Sequence, residues 1–186
     1  MVYEDLRVFE EIAKEQGADI IKTVSIDQIV MDVRATYKCR TCPRYGTKPT
    51  CPPNIPDFDY FKRLFGAYKY GILVGKLYCY SGKEEFNQVR EESGPRVQNI
   101  LLTLEYQAFQ RNYYWAITFI GGSCRGCNSC PEDGKICRNP ARGRIPLEAT
   151  GVNVIETCHR VGIELSPFPH PTDNGILYRI GLFLLE

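Results

Sequence analysis

Apolar residues first recur at helical intervals: Leu6, Phe9, Ile12 and Ala13 share one side of a segment that stops at Gly17, which predicts a helix over residues 3–16. The pattern then changes. Residues 18–37 are rich in Ile, Val and Thr and predict one or two strands leading into the first cysteine. Pro52, Pro53 and Pro56 stiffen the next stretch and exclude regular structure from it. Asp57 is placed to cap a helix whose apolar side is Phe58, Phe61, Leu64, Phe65 and Tyr68, and residues 71–80 (GILVGKLYCY) predict a buried strand.

The polar interval over 81–94 holds a short helix, and Pro95 opens a longer one to about Arg111, marked by Val97, Ile100, Leu101, Leu104, Ala108 and Phe109. Residues 113–120 (YYWAITFI) predict a strand ending at Gly121 and Gly122. A turn of helix at 146–150, a helix over 152–161 closed by Gly162, a turn-rich segment over 166–175 and a final buried strand over 176–185 complete the pattern. At 186 residues the chain suffices for one core and is short for two, so residues 1–186 are expected to form one domain. The expectation is an α/β (or α+β) sandwich, a mixed sheet with flanking helices and two cysteine-rich metal-binding loops.

Charge adds mainly exclusions. With 23 basic against 22 acidic residues, no strong field marks a nucleic-acid partner. The longest apolar runs, 71–75 and 181–185, are too short to span a membrane, and the acidic amphipathic start is no signal peptide. The expected compartment is cytoplasmic, where grouped cysteines are metal ligands or redox groups in preference to disulfides. There is no GxxxxGK phosphate loop, GxGxxG turn or GxSxG elbow.

Seven of the nine cysteines fall into two sets. Cys124, Cys127 and Cys130 are separated by two residues each, and Cys137 follows after six more with Pro140 close behind. This triplet is the form in which a short loop wraps a [4Fe-4S] cluster. Four thiolates also satisfy one structural zinc, which stands as the alternative. Gly121, Gly122 and Gly126 permit close wrapping with amides aimed at sulfur, and Arg125, Lys135, Arg138, Arg142 and Arg144 either offset the thiolate charge or form a solvated face. Cys39, Cys42 and Cys51 supply three ligands to a second centre. Its fourth comes from elsewhere, with Cys79 and Cys158 the cysteine candidates, or the position stays open to substrate or water. His159 and His170 lack metal-type spacing to a partner.

The segments KCRTCPRYGTKPTCPPN and GGSCRGCNSCPEDGKICRNPARGRIPLEATGVNVIE together resemble a family of predicted metal-binding proteins, domain of unknown function 2284, over nearly the whole chain. The resemblance implies that both cysteine sets are metal ligands. Relatives tend to read RPSMEACGIDV where this chain has RIPLEATGVNV, so Thr150 stands where some have another cysteine, while Glu148, Gly151 and Val154 agree. The expected function is electron transfer or redox catalysis with a redox partner protein or a small-molecule substrate; a zinc-binding interaction protein without turnover is the alternative.

Overall fold

Unbroken apolar runs in the two longest strands, over residues 71–75 and 181–185, build the molecule around a sheet covered on both faces. The computed structural model of the chain describes residues 2–165 and 174–186. Strand β2 (Tyr70–Tyr80) pairs antiparallel with β4 (Gly175–Leu185) along its whole length, from Tyr70 opposite Leu185 to Tyr80 opposite Gly175. β1 (Ile20–Ser25) flanks β2 and β3 (Ile117–Phe119) flanks β4, giving the order β1-β2-β4-β3. In place of a mixed sheet, all three ladders are antiparallel; among the described residues the parallel contact is the isolated bridge between Ile120 and Pro146.

Ile72, Val74, Phe183 and Leu185 face helices α1 (Val2–Glu15) and α4 (Gly82–Gln110), where they meet Leu6, Phe9, Ala13, Val97, Leu101 and Leu104. Leu73, Leu182 and Leu184 point the other way, onto Phe61 and Phe65 of α3 (Phe58–Phe65), onto Leu147 of the turn Leu147–Thr150 and onto Cys158 of α5 (Val154–Arg160). Successive side chains of one strand thus feed two cores. Gly181 lets α4 approach, since a Cβ there would lie 2.5 Å from both Leu101 Cδ1 and Phe119 O. The result is the expected single-domain helix–sheet–helix sandwich, a mixed α and β fold. No helix among the described residues is long and apolar enough to cross a membrane.

Three elements differ from the sequence expectation. The strand predicted toward residue 37 ends at Ser25, and residues Val33–Arg40 form helix α2, started by Asp32, whose carboxylate accepts from Arg34 N at 2.9 Å. Val33 and Tyr37 are exposed, so α2 carries no apolar stripe for periodicity to detect. Second, α4 runs unbroken through Pro95. Proline removes a ladder bond there, but Arg179 of β4 donates to Arg90 O at 3.2 Å and to Ser93 Oγ at 3.0 Å, anchoring the turn that precedes the proline to the sheet. Third, β3 is only three residues long, because residues 113–116 turn. Tyr113 donates to Asp5 at 2.6 Å and Trp115 N to Glu186 at 2.8 Å, bonds that hold this turn against α1 and the end of the chain. Of the turn-rich segment predicted at 166–175, residues 166–173, His170 among them, lie outside the described residues.

Candidate metal centre

The last turn of α2 presents Cys39, and a chain of turns returns Cys51 to it. Cys42 N donates to Cys39 O at 3.1 Å, Tyr45 N to Cys42 O at 2.9 Å, Gly46 N to Pro52 O at 2.9 Å and Cys51 N to Lys48 O at 3.1 Å. A helix end, not the expected strand, therefore delivers this set. Cys39, Cys42 and Cys51 line one cleft of about 230 Å³ with Tyr45, Gly122 and Glu148.

The second set follows β3, as expected of a loop hung from a strand end. Cys124, Cys127, Cys130 and Cys137 line a common cavity of only about 10 Å³, room for roughly one water. Gly143 makes that closeness possible, since a Cβ at this position would lie 2.9 Å from Cys137 Sγ. Cys124 is buried, while Cys127 is exposed and Cys130 and Cys137 are intermediate.

The two loops are docked on each other. Asn54 Nδ2 donates to Gly134 O at 2.9 Å, and Lys48 Nζ donates to Cys124 O at 2.6 Å. Gly134 has φ 63°, and a Cβ there would lie 2.6 Å from Gly46 O, so the tip of the second loop rests directly on the backbone of the first. Cys51 consequently feels the charge of Cys124 as well as that of Cys39 and Cys42. Sequence spacing gave two separate sets; the structure makes them neighbours.

Their electrostatics differ. Burial pushes the Cys51 thiol up to about 11; Lys48 opposes this, and the neighbouring thiols reinforce it. Cys39 is raised by burial, then by Glu148 and Cys42. Burial acts the same way on Cys124, but the Arg144 and Gly126 amides, Gln98 and Lys48 outweigh it and hold that thiol below its ordinary value. Cys124 Sγ accepts from Gln98 Nε2 and from Gly126 N, each at 3.4 Å. This is the amide-to-sulfur arrangement that favours a thiolate. Gly126 thus acts as its sequence position implied, whereas Gly122 N donates to the Glu148 carboxylate, 3.3 Å from both oxygens.

All nine cysteines are free. Cys79 is exposed on β2 and Cys158 is buried in the α5 core; neither lines the first cleft. Among the described residues, no three His, Cys, Asp or Glu side chains are drawn to the spacing of a bound ion, so the thiols face common clefts without converging. Most of the basic residues around the second set are engaged: Arg125 with Glu91 at 2.6 Å, Arg144 with Glu105 at 2.5 Å and Arg142 with Asn99 at 2.6 Å. Arg138 lines the four-thiol cavity.

Sequence reasoning missed Lys48 and Gln98, and marked Glu148 only as a position that agrees with the resembled family, without a role. Gln98 lies among the core positions of α4, and its amide also accepts from Arg125 N at 2.7 Å and donates to Arg142 O at 2.7 Å, bracing both ends of the second loop. A buried amide beside an apolar stripe was the available signal.

The model of the family described as Predicted metal-binding protein (DUF2284) matches residues 22–185, which contain both cysteine sets. No curated protein and no solved structure matches the chain.

Proposed function

The chain belongs to the predicted metal-binding protein family DUF2284, and from that premise we propose that it is a cytoplasmic iron–sulfur protein with two adjoining metal centres. Cys124, Cys127, Cys130 and Cys137 hold a [4Fe-4S] cluster in this reading, and Cys39, Cys42 and Cys51 hold a second metal. The observation that carries it is the shared cavity of four thiols, one of them already favoured as thiolate by amide donors. The donor chemistry fits: soft sulfur ligands in a spacing that reaches several corners of one centre. Because the cavity has room for roughly one water, seating a cluster requires the loop to spread, and its three less buried cysteines leave it able to do so.

A bound cluster would supply one-electron chemistry. The chain's own contribution is electrostatic and mechanical. Lys48 offsets thiolate charge on both sets, Gln98 and Gly126 stabilise the Cys124 sulfur, and docking of the two loops keeps the first cleft beside the second. The first cleft, the larger of the two, is the place for a small-molecule substrate or for contact with a redox partner protein. The narrowness of the four-thiol cavity favours a second reading, a tetrahedral structural zinc without turnover. Paramagnetic resonance of the dithionite-reduced, anaerobically purified protein separates them: the iron–sulfur reading expects a four-iron signal that Cys130→Ser abolishes, and a silent wild-type spectrum contradicts it.

A further inference from the structure

The first cleft is lined by one carboxylate beside its three cysteines. Glu148 sits in the turn Leu147–Thr150 and lines the same cleft as Cys39, Cys42 and Cys51. Its place is fixed from several directions. Leu147 and Ala149 are buried, Thr150 Oγ1 donates to Leu147 O at 2.7 Å, and Gly151 closes the turn with φ 97°. The turn is tied to the segment that starts α2, since Asp32 N donates to Gly151 O at 2.7 Å and Asn153 N to Val30 O at 2.8 Å. The helix that delivers Cys39 and the turn that delivers Glu148 are thus parts of one braced unit.

The carboxylate lacks a counter-charge at contact distance. Among the described residues Glu148 forms no ion pair, although Lys38 and Arg44 line the same cleft. Arg179 acts on it from further away, and that guanidinium is committed to Ser93, Arg90 O and Gly121 O. A half-buried carboxylate held by a long backbone amide bond, from Gly122, and by no counter-charge in contact is costly, and three thiolates gathered beside it would raise that cost. A cation in the cleft answers both.

We propose that Glu148 is the fourth ligand of the first centre, which makes it a site for a divalent transition-metal ion held by three thiolates and one carboxylate. The proposal rests on the reading of Cys39, Cys42 and Cys51 as a metal centre. It also joins the two alternatives the sequence left open. A carboxylate oxygen is the harder, more readily displaced donor on a thiolate-bound ion, so the fourth ligand and the exchangeable position coincide at Glu148.

Co²⁺ titration of the metal-free full-length chain under argon tests this, with Cys127→Ser/Cys130→Ser disabling the second set so that absorption reports the first centre alone. The proposal expects one Co²⁺ per chain with thiolate-to-cobalt bands. Adding Glu148→Gln, close in shape, should weaken binding at least about tenfold and shift the ligand-field bands, and Glu148→Asp should recover part of the affinity. Thermal melting of each metal-free variant separates a merely structural role, which would move the melting temperature and leave the bands alone. If Glu148→Gln does not fold, Glu148→Asp decides, because displacing a ligating carboxylate must shift the bands. Unchanged affinity and bands in the folded Glu148 variant overturn the proposal. Failure of the underlying reading looks different: there the parent protein takes up no Co²⁺, or Cys39→Ser leaves uptake unaltered.

Discussion

Gly134→Ala would test whether the two cysteine loops work as one unit. Gly134 holds φ 63°, a conformation that costs an alanine about 1–2 kcal/mol. The new Cβ would also stand 2.6 Å from Gly46 O, a backbone atom with little freedom to yield. Relief requires the tip of the second loop to lift, which breaks the 2.9 Å bond from Asn54 to Gly134 O at a further cost of about 1 kcal/mol. The sum, about 2–3 kcal/mol, falls on loop docking, since Gly134 lies outside the sheet's two cores. If docking is coupled to metal uptake, metal affinity drops by roughly 30- to 150-fold. Anaerobic metal titration of metal-free protein reads this directly. Gly162→Ala is the control: it has φ 78° but open space around its Cβ, and it should lower the melting temperature while leaving metal affinity alone. Equal metal affinity in wild type and Gly134→Ala would refute the coupling.

Gln98→Leu should destabilise the protein by about 2–4 kcal/mol in urea titration, because Arg125 N and Arg142 O lose their partner, and should slow alkylation of Cys124 at neutral pH by raising its thiol. Cys79→Ser and Cys158→Ala should each leave metal content per chain unchanged by elemental analysis; loss of one metal on either would restore a cysteine fourth ligand. Burial raises the Cys158 thiol from near 9 to about 11, so the folded protein keeps a proton that the unfolded chain releases. That part of its stability is complete below pH 9 and is lost as pH rises toward 11, by at most about 2–3 kcal/mol. Urea midpoints at pH 8 and pH 10 should therefore diverge less in Cys158→Ala than in wild type.

What the sequence disclosed follows from where apolar residues lie. β2 and β4 read clearly because both faces are buried, α3 because Asp57 caps a helix whose apolar side meets the sheet, and α5 because Gly162 closes it. α2 was hidden because a short, mostly exposed helix held by an Asp32 cap has no stripe. Pro95 suggested a break that does not occur, and Arg179, arriving from the opposite end of the chain, holds the turn just before it. The cysteine sets were legible from their spacing, but their adjacency depends on Asn54, Lys48 and Gly134, residues whose roles exist only once the loops meet. Glu148 was legible only as a residue that agrees with the family pattern; its place in the cleft of three thiols came with the fold.

Iron, acid-labile sulfide and zinc per chain, assayed on protein purified without oxygen, separate an iron–sulfur centre from zinc in a single measurement. A [4Fe-4S] cluster on the second set gives a coloured protein with about four iron and four sulfide, plus metal at the first set. A colourless protein containing zinc and no sulfide would contradict the iron–sulfur assignment.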